Sequence, residues 1–305
     1  MILSAFRYRL FGLAFITKRS AEYTHFYNSI RFGSSRIEMA TSNVIIGAKP
    51  VVANDVEDAV REQEQDGENE HVRSEINSSV IPNMMHVKPR NPDDKPINII
   101  RRYQKEGRPV FVAGPMVRYS KLPFRKLVRD YKCDIVYSPM ILAREFVRNE
   151  NARLSDFTTN NSDRPLIVQV GVNNVTDLLR FVEMVQPYVD GIGINCGCPI
   201  KEQVREGIGA ALMSNRQLVS EMVYEVKKRW GDDICIETKI RVHDDINETI
   251  DFVKSVEKAG VDFITVHGRT KNTRSSQPAN LDKIRIVKEN VSVPVIANGD
   301  CFSLK

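Results

Sequence analysis

No two of the five cysteines are spaced C-x-x-C, and the five histidines are scattered. The common structural zinc frameworks are therefore absent, and no metal is expected. An odd cysteine count without a clear signal peptide points to free thiols in a reducing compartment. Long apolar runs are missing as well. The longest near the start, residues 10–16, is far too short to cross a bilayer, so no membrane association is expected. There is one tryptophan, no RNP motif and no aromatic stacking platform, which excludes a small RNA-recognition module. A strong excess of either charge is lacking: 44 basic residues against 39 acidic give a net +5. That balance tolerates a polyanionic partner without demanding one.

The 305 residues fall into three stretches. Residues 1–37 form a basic extension, with six Arg or Lys up to Arg36 and one acidic residue, Glu22. This bias suits either a mitochondrial presequence or a poorly ordered extension with translation starting at Met39. A cytoplasmic location is the expectation, with mitochondria left open by this segment. Residues 38–100 read as a mostly disordered linker. Residues 55–75 hold nine acidic and two basic residues, and Pro82, Pro89, Pro92 and Pro96 interrupt any regular element. A short helix over 99–106, capped by Asn98, leads into the folded part.

From residue 101 the texture is that of an α/β domain. Apolar, β-rich runs at 110–113, 134–137, 166–170, 191–194, 234–239, 263–266 and 293–297 alternate with helical patterns. Leu178, Leu179, Phe181, Val182 and Val185 make one apolar helix face. Ile246, Ile250, Val253 and Val256 make another, with Gly260 placed to end that helix. Continuous apolar strands separated by helices predict a parallel sheet covered on both sides. A TIM-type βα barrel fits better than a doubly wound sheet, because polar and glycine-rich residues gather after each run, where a barrel carries its active-site loops. The chain ends soon after the seventh run, so the barrel is read as truncated there, lacking its eighth βα unit.

Those loops supply the candidate site. Pro115, Met116 and Val117 follow the first run. Gln169 closes the third, Asn195 and Cys198 follow the fourth, and Lys239 and Arg241 end the fifth. His267 and Arg269 end the sixth, and Asn298, Gly299 and Asp300 the seventh. Taken singly each has a plain alternative: a structural thiol, a snorkelling lysine, a bonded histidine, a simple turn. Cys198, between Gly197 and Pro199, is expected in an exposed and mobile loop. Cys196, Cys133 and Cys235 read as packing residues. Arg269, Lys271 and Arg274 flank the site and suit phosphodiester contacts.

In order and spacing, the set G-P-M, Q-V-G, N-C-G-C-P, K-I-R, V-H-G-R-T and A-N-G-D resembles the tRNA-dihydrouridine synthases. With Ser138-Pro139-Met140, it looks closest to the eukaryotic dihydrouridine-synthase-4-like branch. The resemblance covers residues 108–300. It implies an FMN-bound barrel that reduces uridine in the tRNA D-loop, drawing electrons from NADPH or NADH. Cys198 then matches the general acid. Pro115, Met116 and Val117 match the segment along the flavin, and Gln169, Lys239 and His267 match flavin contacts. Asn298, Gly299 and Asp300 match part of the phosphate end. Asn195 and Arg241 match residues near the flavin and uracil. Gly114 stands where the family commonly has alanine. A C-terminal helical tRNA-binding domain, also implied, is missing, so weak FMN binding, poor stability and an inactive chain are expected. Two other readings stay open: an FMN barrel enzyme acting on a free pyrimidine, like dihydroorotate dehydrogenase, and a non-catalytic RNA-binding isoform. Oligomeric state is left open.

Overall fold

The computed structural model describes residues 90–302. The basic extension and nearly all of the linker lie outside the described residues. The first helix, α1 (Pro96–Lys105), begins three residues before its expected start. Pro96 takes the first helical position, where its missing N–H is no loss, and Lys95 precedes it without a side-chain cap. Asn98 therefore lies inside the helix. Ile97, Ile99 and Ile100 are buried, so the folded part reaches back into the segment read as linker.

Each expected run is a strand. In chain order they are β1 (Val112–Ala113), β2 (Ile135–Tyr137), the short β3 (Ile141–Leu142), β4 (Leu166–Gly171), β5 (Gly191–Cys196), β6 (Cys235–Arg241), β7 (Phe263–His267) and β8 (Val295–Asn298). All pair in parallel in the order β1-β2-β4-β5-β6-β7-β8, with β3 beside β4. This is the sequential order of a βα barrel, and among the described residues the sheet is open between β1 and β8. Helices α2 (Leu122–Asp130), α3 (Ala143–Arg148), α4 (Glu150–Asp156), α5 (Val175–Val185), α6 (Lys201–Arg205), α7 (Arg216–Trp230), α8 (Ile246–Lys258) and α9 (Leu281–Glu289) fill the connections. Asn174, Asn215, Asp245 and Asn280 cap α5, α7, α8 and α9 through their side chains. Gly260 follows α8 at φ +99°, the left-handed conformation its place after the helix predicts.

Strand residues alternate between two faces. One alternate set, with Val168, Val170, Ile192, Ile194, Ile236, Ile240, Ile264 and Val266, packs under the helices. Phe252 and Thr249 are buried in α8, while Ile250 is only half-buried, so the face of that helix is rotated from the one read in sequence. The opposite set fills the inside. Ile135, Ile167, Cys235 and Phe263 cluster there with Tyr137 and with Ile97 and Ile100 of α1. Helix α1 thus closes the N-terminal end of the sheet with an apolar floor. Full burial of each such aliphatic side chain contributes about 1.5–3 kcal/mol.

Candidate functional site

The strand register orders the interior face from floor to rim. Gln169, Gly193 and Glu237 lie side by side, in register with Phe263, and Asn195 and Lys239 stand above them, in register with Thr265. At the C-terminal rim Arg241, His267 and Asn298 share the next position. Period-two alternation places Glu237, Lys239 and Arg241 on one face of β6, and the parallel register carries the same face to β5 and β7.

The loop after β5 is pinned rather than mobile. The backbone N–H groups of Gly197 and Cys198 donate to Asn195 Oδ1 at 3.0 and 2.9 Å. Ala210 N donates to Cys198 O at 2.9 Å. Arg241 Nε donates to Gly197 O at 2.8 Å and its Nη1 to Thr270 O at 2.9 Å, tying this loop to the one after β7. Gly209 makes the close approach possible. At φ +66°, a Cβ there would lie 2.6 Å from Cys198 O. Cys198 itself is half-buried, at a fixed position on the rim.

These contacts settle the direction of two amides. Asn195 Oδ1 must face the two N–H donors, so its Nδ2 is the donor, and it reaches Gln169 Oε1 at 2.8 Å. Gln169 therefore presents its Nε2 elsewhere, and that buried atom has no hydrogen-bond partner. A buried amide donor left unpaired costs about 1–3 kcal/mol, which a ligand carbonyl or ring nitrogen would restore.

On the other side of the rim, Lys239 Nζ donates to Asn298 Oδ1 at 2.9 Å. Burial pushes the Lys239 ammonium below its usual range and Arg241 adds to the shift, while Glu237 opposes it. Burial in turn raises Glu237 well above ordinary carboxyls. Arg241 is also lowered, by burial and then by Arg269. Burial, with Lys239, Arg241 and Arg269, drops His267 to about 3, so the ring is neutral at physiological pH. Its Nε2 lies 3.2 Å from Arg269 Nη1, a donor, so Nε2 accepts and the proton sits on Nδ1.

Arg269 is turned inward. Its guanidinium holds Asp300 through Nη2 at 2.6 and 2.8 Å and Gln277 O through Nε at 2.7 Å, and only 3% of the side chain is exposed. Asp300 also accepts from Ala279 N at 2.6 Å. Burial pushes its carboxyl up, yet the Ala279 N–H and Arg269 hold it below the usual range. This pair staples the loop after β7 to the end of β8, a tethering position rather than one on an RNA-facing surface. Gly299, at φ +111°, allows the crossing, since a Cβ there would come within 2.8 Å of the His267 ring. Pro115, Met116 and Val117 form a tight turn at the same end of the sheet, in which Tyr119 N and Ser120 N donate to Met116 O. Among the described residues no hydrogen bond joins that turn to the network from β4 to β8. Cys196 and Cys235 are buried packing residues, as read from sequence, and Cys301 is exposed.

Sequence reasoning passed over Glu237, Tyr137 and Thr265. For Glu237 a signal was present: a lone acid inside an apolar run, two residues before Lys239. Among the described residues no group of three or more His, Cys, Asp or Glu is arranged to hold a metal, and no helix is long and apolar enough to cross a membrane.

A family model described as Dihydrouridine synthase (Dus) matches residues 111–305, from the first strand onward. The chain belongs to the dihydrouridine synthase family. It is 67% identical over 68% of its length to a Saccharomyces cerevisiae protein named tRNA-dihydrouridine(20a/20b) synthase (NAD(P)+), and covers 58% of that relative. A Schizosaccharomyces pombe protein of the same name is 53% identical over 66% of this chain and 61% of its own. A Homo sapiens protein with that name and the suffix "-like" is 50% identical over 65% of this chain and 63% of its own. The chain thus spans about three-fifths of the length of these relatives. Their names place it in the eukaryotic branch that its N-C-G-C-P loop resembles.

Proposed function

We propose that this chain carries the catalytic centre of a flavin-dependent tRNA-dihydrouridine synthase, reducing the C5=C6 bond of uridine with electrons from NADPH or NADH. Uridines 20a and 20b, which the relatives' names specify, are the proposed targets, and tRNA is the partner. A cytoplasmic location belongs with this reading. The observation that carries it is the unpaired Gln169 Nε2, buried beside Asn195 on the interior face just below Lys239 and the Cys198 loop.

The donor set fits FMN. Gln169 Nε2 and Lys239 would meet the carbonyl and ring-nitrogen edge, with neutral His267 beside them. Asn298, Gly299 and Asp300 would frame the phosphate end, and Pro115, Met116 and Val117 would lie along the ring. The chemistry FMN supplies when bound is transfer of a hydride equivalent to C6 of the pyrimidine. The other residues handle charge and protons. Cys198, held at a fixed position on the rim, donates its thiol proton to C5. Asn195 holds the Cys198 loop at fixed height by accepting from both of its N–H groups. Arg241, half-buried between the two loops, faces the uracil and stabilises charge developing on its O4. The nucleotide must be unstacked to reach this rim.

The test is the visible spectrum of the purified chain after FMN is added and the excess removed, followed by turnover on unmodified tRNA. Against the weak binding and inactivity expected from sequence, the assembled rim predicts a retained flavin band, dihydrouridine formation, and its loss in Cys198→Ala. A colourless protein would overturn the cofactor assignment. Reduction of free uracil in preference to tRNA would move the chain to a small-pyrimidine oxidoreductase. Retained flavin and tRNA without turnover would favour a non-catalytic role.

A further inference from the structure

The middle layer of the interior holds one charged side chain the proposed chemistry does not use. Glu237 is 0% exposed. Its Oε2 accepts from Thr265 Oγ1 at 2.6 Å, and its Oε1 has no partner. The Tyr137 hydroxyl faces it from β2, near enough for a weak hydrogen bond to act on the carboxyl. Space for the carboxyl is left by Gly193 on β5, where a Cβ would stand 2.8 Å from Oε1. Below it the floor is Cys235, Phe263, Ile135 and Ile167, which offer no counter-charge.

Its cation is Lys239, two residues on and therefore directly above it on the same face of β6. Lys239 points the other way, toward Asn298. The Cys196 and Cys235 thiols also lie in the field of Glu237. Lys239 in turn feels Arg241 and Cys198, and acts on His267. A carboxylate this deep, with two neutral hydroxyls and one ammonium about it, keeps its charge only while the ammonium is not committed elsewhere. An anion laid on the rim side of Lys239 would take up that commitment.

We propose that Glu237 is a positioning residue that keeps the charge of the site constant: an ionised partner of Lys239 while the cofactor is oxidised, and the acceptor of one proton when reduction places a negative charge against Lys239. This rests on the flavin reading above. The balance is simple. Oxidised flavin takes two electrons and one proton to reach its anionic reduced form, and the Glu237 carboxylate takes one further proton from solvent to become the carboxylic acid. On reoxidation that proton returns to solvent.

The experiment is a potentiometric titration of the FMN-loaded chain from pH 6 to pH 8, wild type against Glu237→Gln. Each proton taken up per two electrons shifts the midpoint about 30 mV per pH unit, the tenfold equivalent for a two-electron couple. Above about pH 7, where burial leaves the oxidised-state carboxyl ionised, wild type should shift by about 60 mV per unit and Glu237→Gln by about 30 mV. Equal slopes in both proteins would overturn the inference while leaving the flavin reading intact. Failure of wild type to retain FMN would instead overturn that reading, and the inference with it. Should Glu237→Gln not fold, reduction of the wild type is followed by infrared difference spectroscopy with and without ¹³C-glutamate. A protonated-carboxyl band that appears on reduction and moves with the label supports the inference. Its absence overturns it. Glu237 is the only fully buried glutamate among the described residues.

Discussion

Replacing Gly209 by alanine tests how the Cys198 loop is held, because two separable penalties meet at that position. The first is conformational. Gly209 sits at φ +66°, where a Cβ costs about 1–2 kcal/mol. The second is steric. The new Cβ would fall 2.6 Å from Cys198 O and 3.0 Å from Cys198 Cβ, and the oxygen belongs to a backbone held by Ala210 N, so it cannot swing aside. Overpacking of this kind adds about 1–3 kcal/mol. The sum is about 2–5 kcal/mol, or a melting temperature roughly 5–15 °C lower for a domain of this size. Gly207→Ala is the internal reference. It has φ +77°, but its Cβ would meet only Asn173 Cβ at 3.8 Å, so it carries the first penalty alone. Urea and thermal unfolding of both variants read the difference. Gly209→Ala should be the less stable by at least 1 kcal/mol and should bind FMN more weakly, since Cys198 and Asn195 must move with the loop. Equal losses in the two variants would refute the claim that this loop is rigidly seated.

Other outcomes follow from the same geometry. Arg125, 2% exposed, donates to Asp163 Oδ2 and to the carbonyls of Ser120 and Thr158, so Arg125→Met should lose about 3–5 kcal/mol in urea unfolding. Adding Asp163→Asn should recover part of that loss, because the buried carboxylate, left with Arg129 Nη2 at 3.3 Å and Thr159 Oγ1 at 3.1 Å, is gone. His267 has a folded pKa of about 3 against an ordinary 6.5, so the unfolded chain binds a proton that the fold refuses. The stability this gives is complete above about pH 6.5 and declines as pH falls toward about 3. His267→Gln should flatten that decline in a pH series of urea midpoints, and an unchanged slope would sink the assignment. Arg269→Lys keeps the charge but loses the fork that grips Asp300. Trypsin should then cut faster after the exposed Lys271 and Arg274, as read by mass spectrometry of timed digests.

The strands were legible because their signal is redundant. A strand buried on both faces, such as Leu166–Gly171, needs apolar residues at every position, and glycine or polar residues mark its end. The rim residues were legible for a related reason: a polar side chain at the end of an apolar run has few places to go in a barrel. What could not be read were relations between loops. Arg269 looked outward by composition, since arginine beside glycine and threonine suits an anion. Its partner Asp300 lies 31 residues away, and only the fold brings the two together. The Cys198 loop looked loose because it contains glycines. Those glycines allow close backbone approach, and close approach is what fixes the loop. Helix α1 was shortened because prolines were counted as breakers throughout, whereas Pro96 starts a helix. The alternation of helix and strand set the architecture, and chance-separated pairs of residues set the site.

One strand shows how stability and chemistry are divided along the axis. Reading inward positions of β6 from floor to rim gives Cys235, Glu237, Lys239 and Arg241: a packing thiol, a buried acid, a half-buried amine and a guanidinium bridging two loops. The outward positions between them, Ile236, Thr238 and Ile240, are all buried under helices. The outer face and the floor supply the apolar burial that allows a charged inner column to exist. The column in turn is ordered so that each charge has its partner one layer away rather than in its own layer. Sideways Glu237 meets only neutral groups: Gly193 and Phe263 in register, and the hydroxyls of Thr265 and Tyr137. The charge it responds to lies along the strand, at Lys239. A substitution at the rim that alters the charge of Lys239 must therefore be felt at Glu237, and one at Glu237 must be felt at the rim. Lys239→Met should accordingly leave Glu237 protonated through neutral pH, seen as a carboxyl infrared band already present before any reduction. Absence of that band would mean that the two groups do not share their charge.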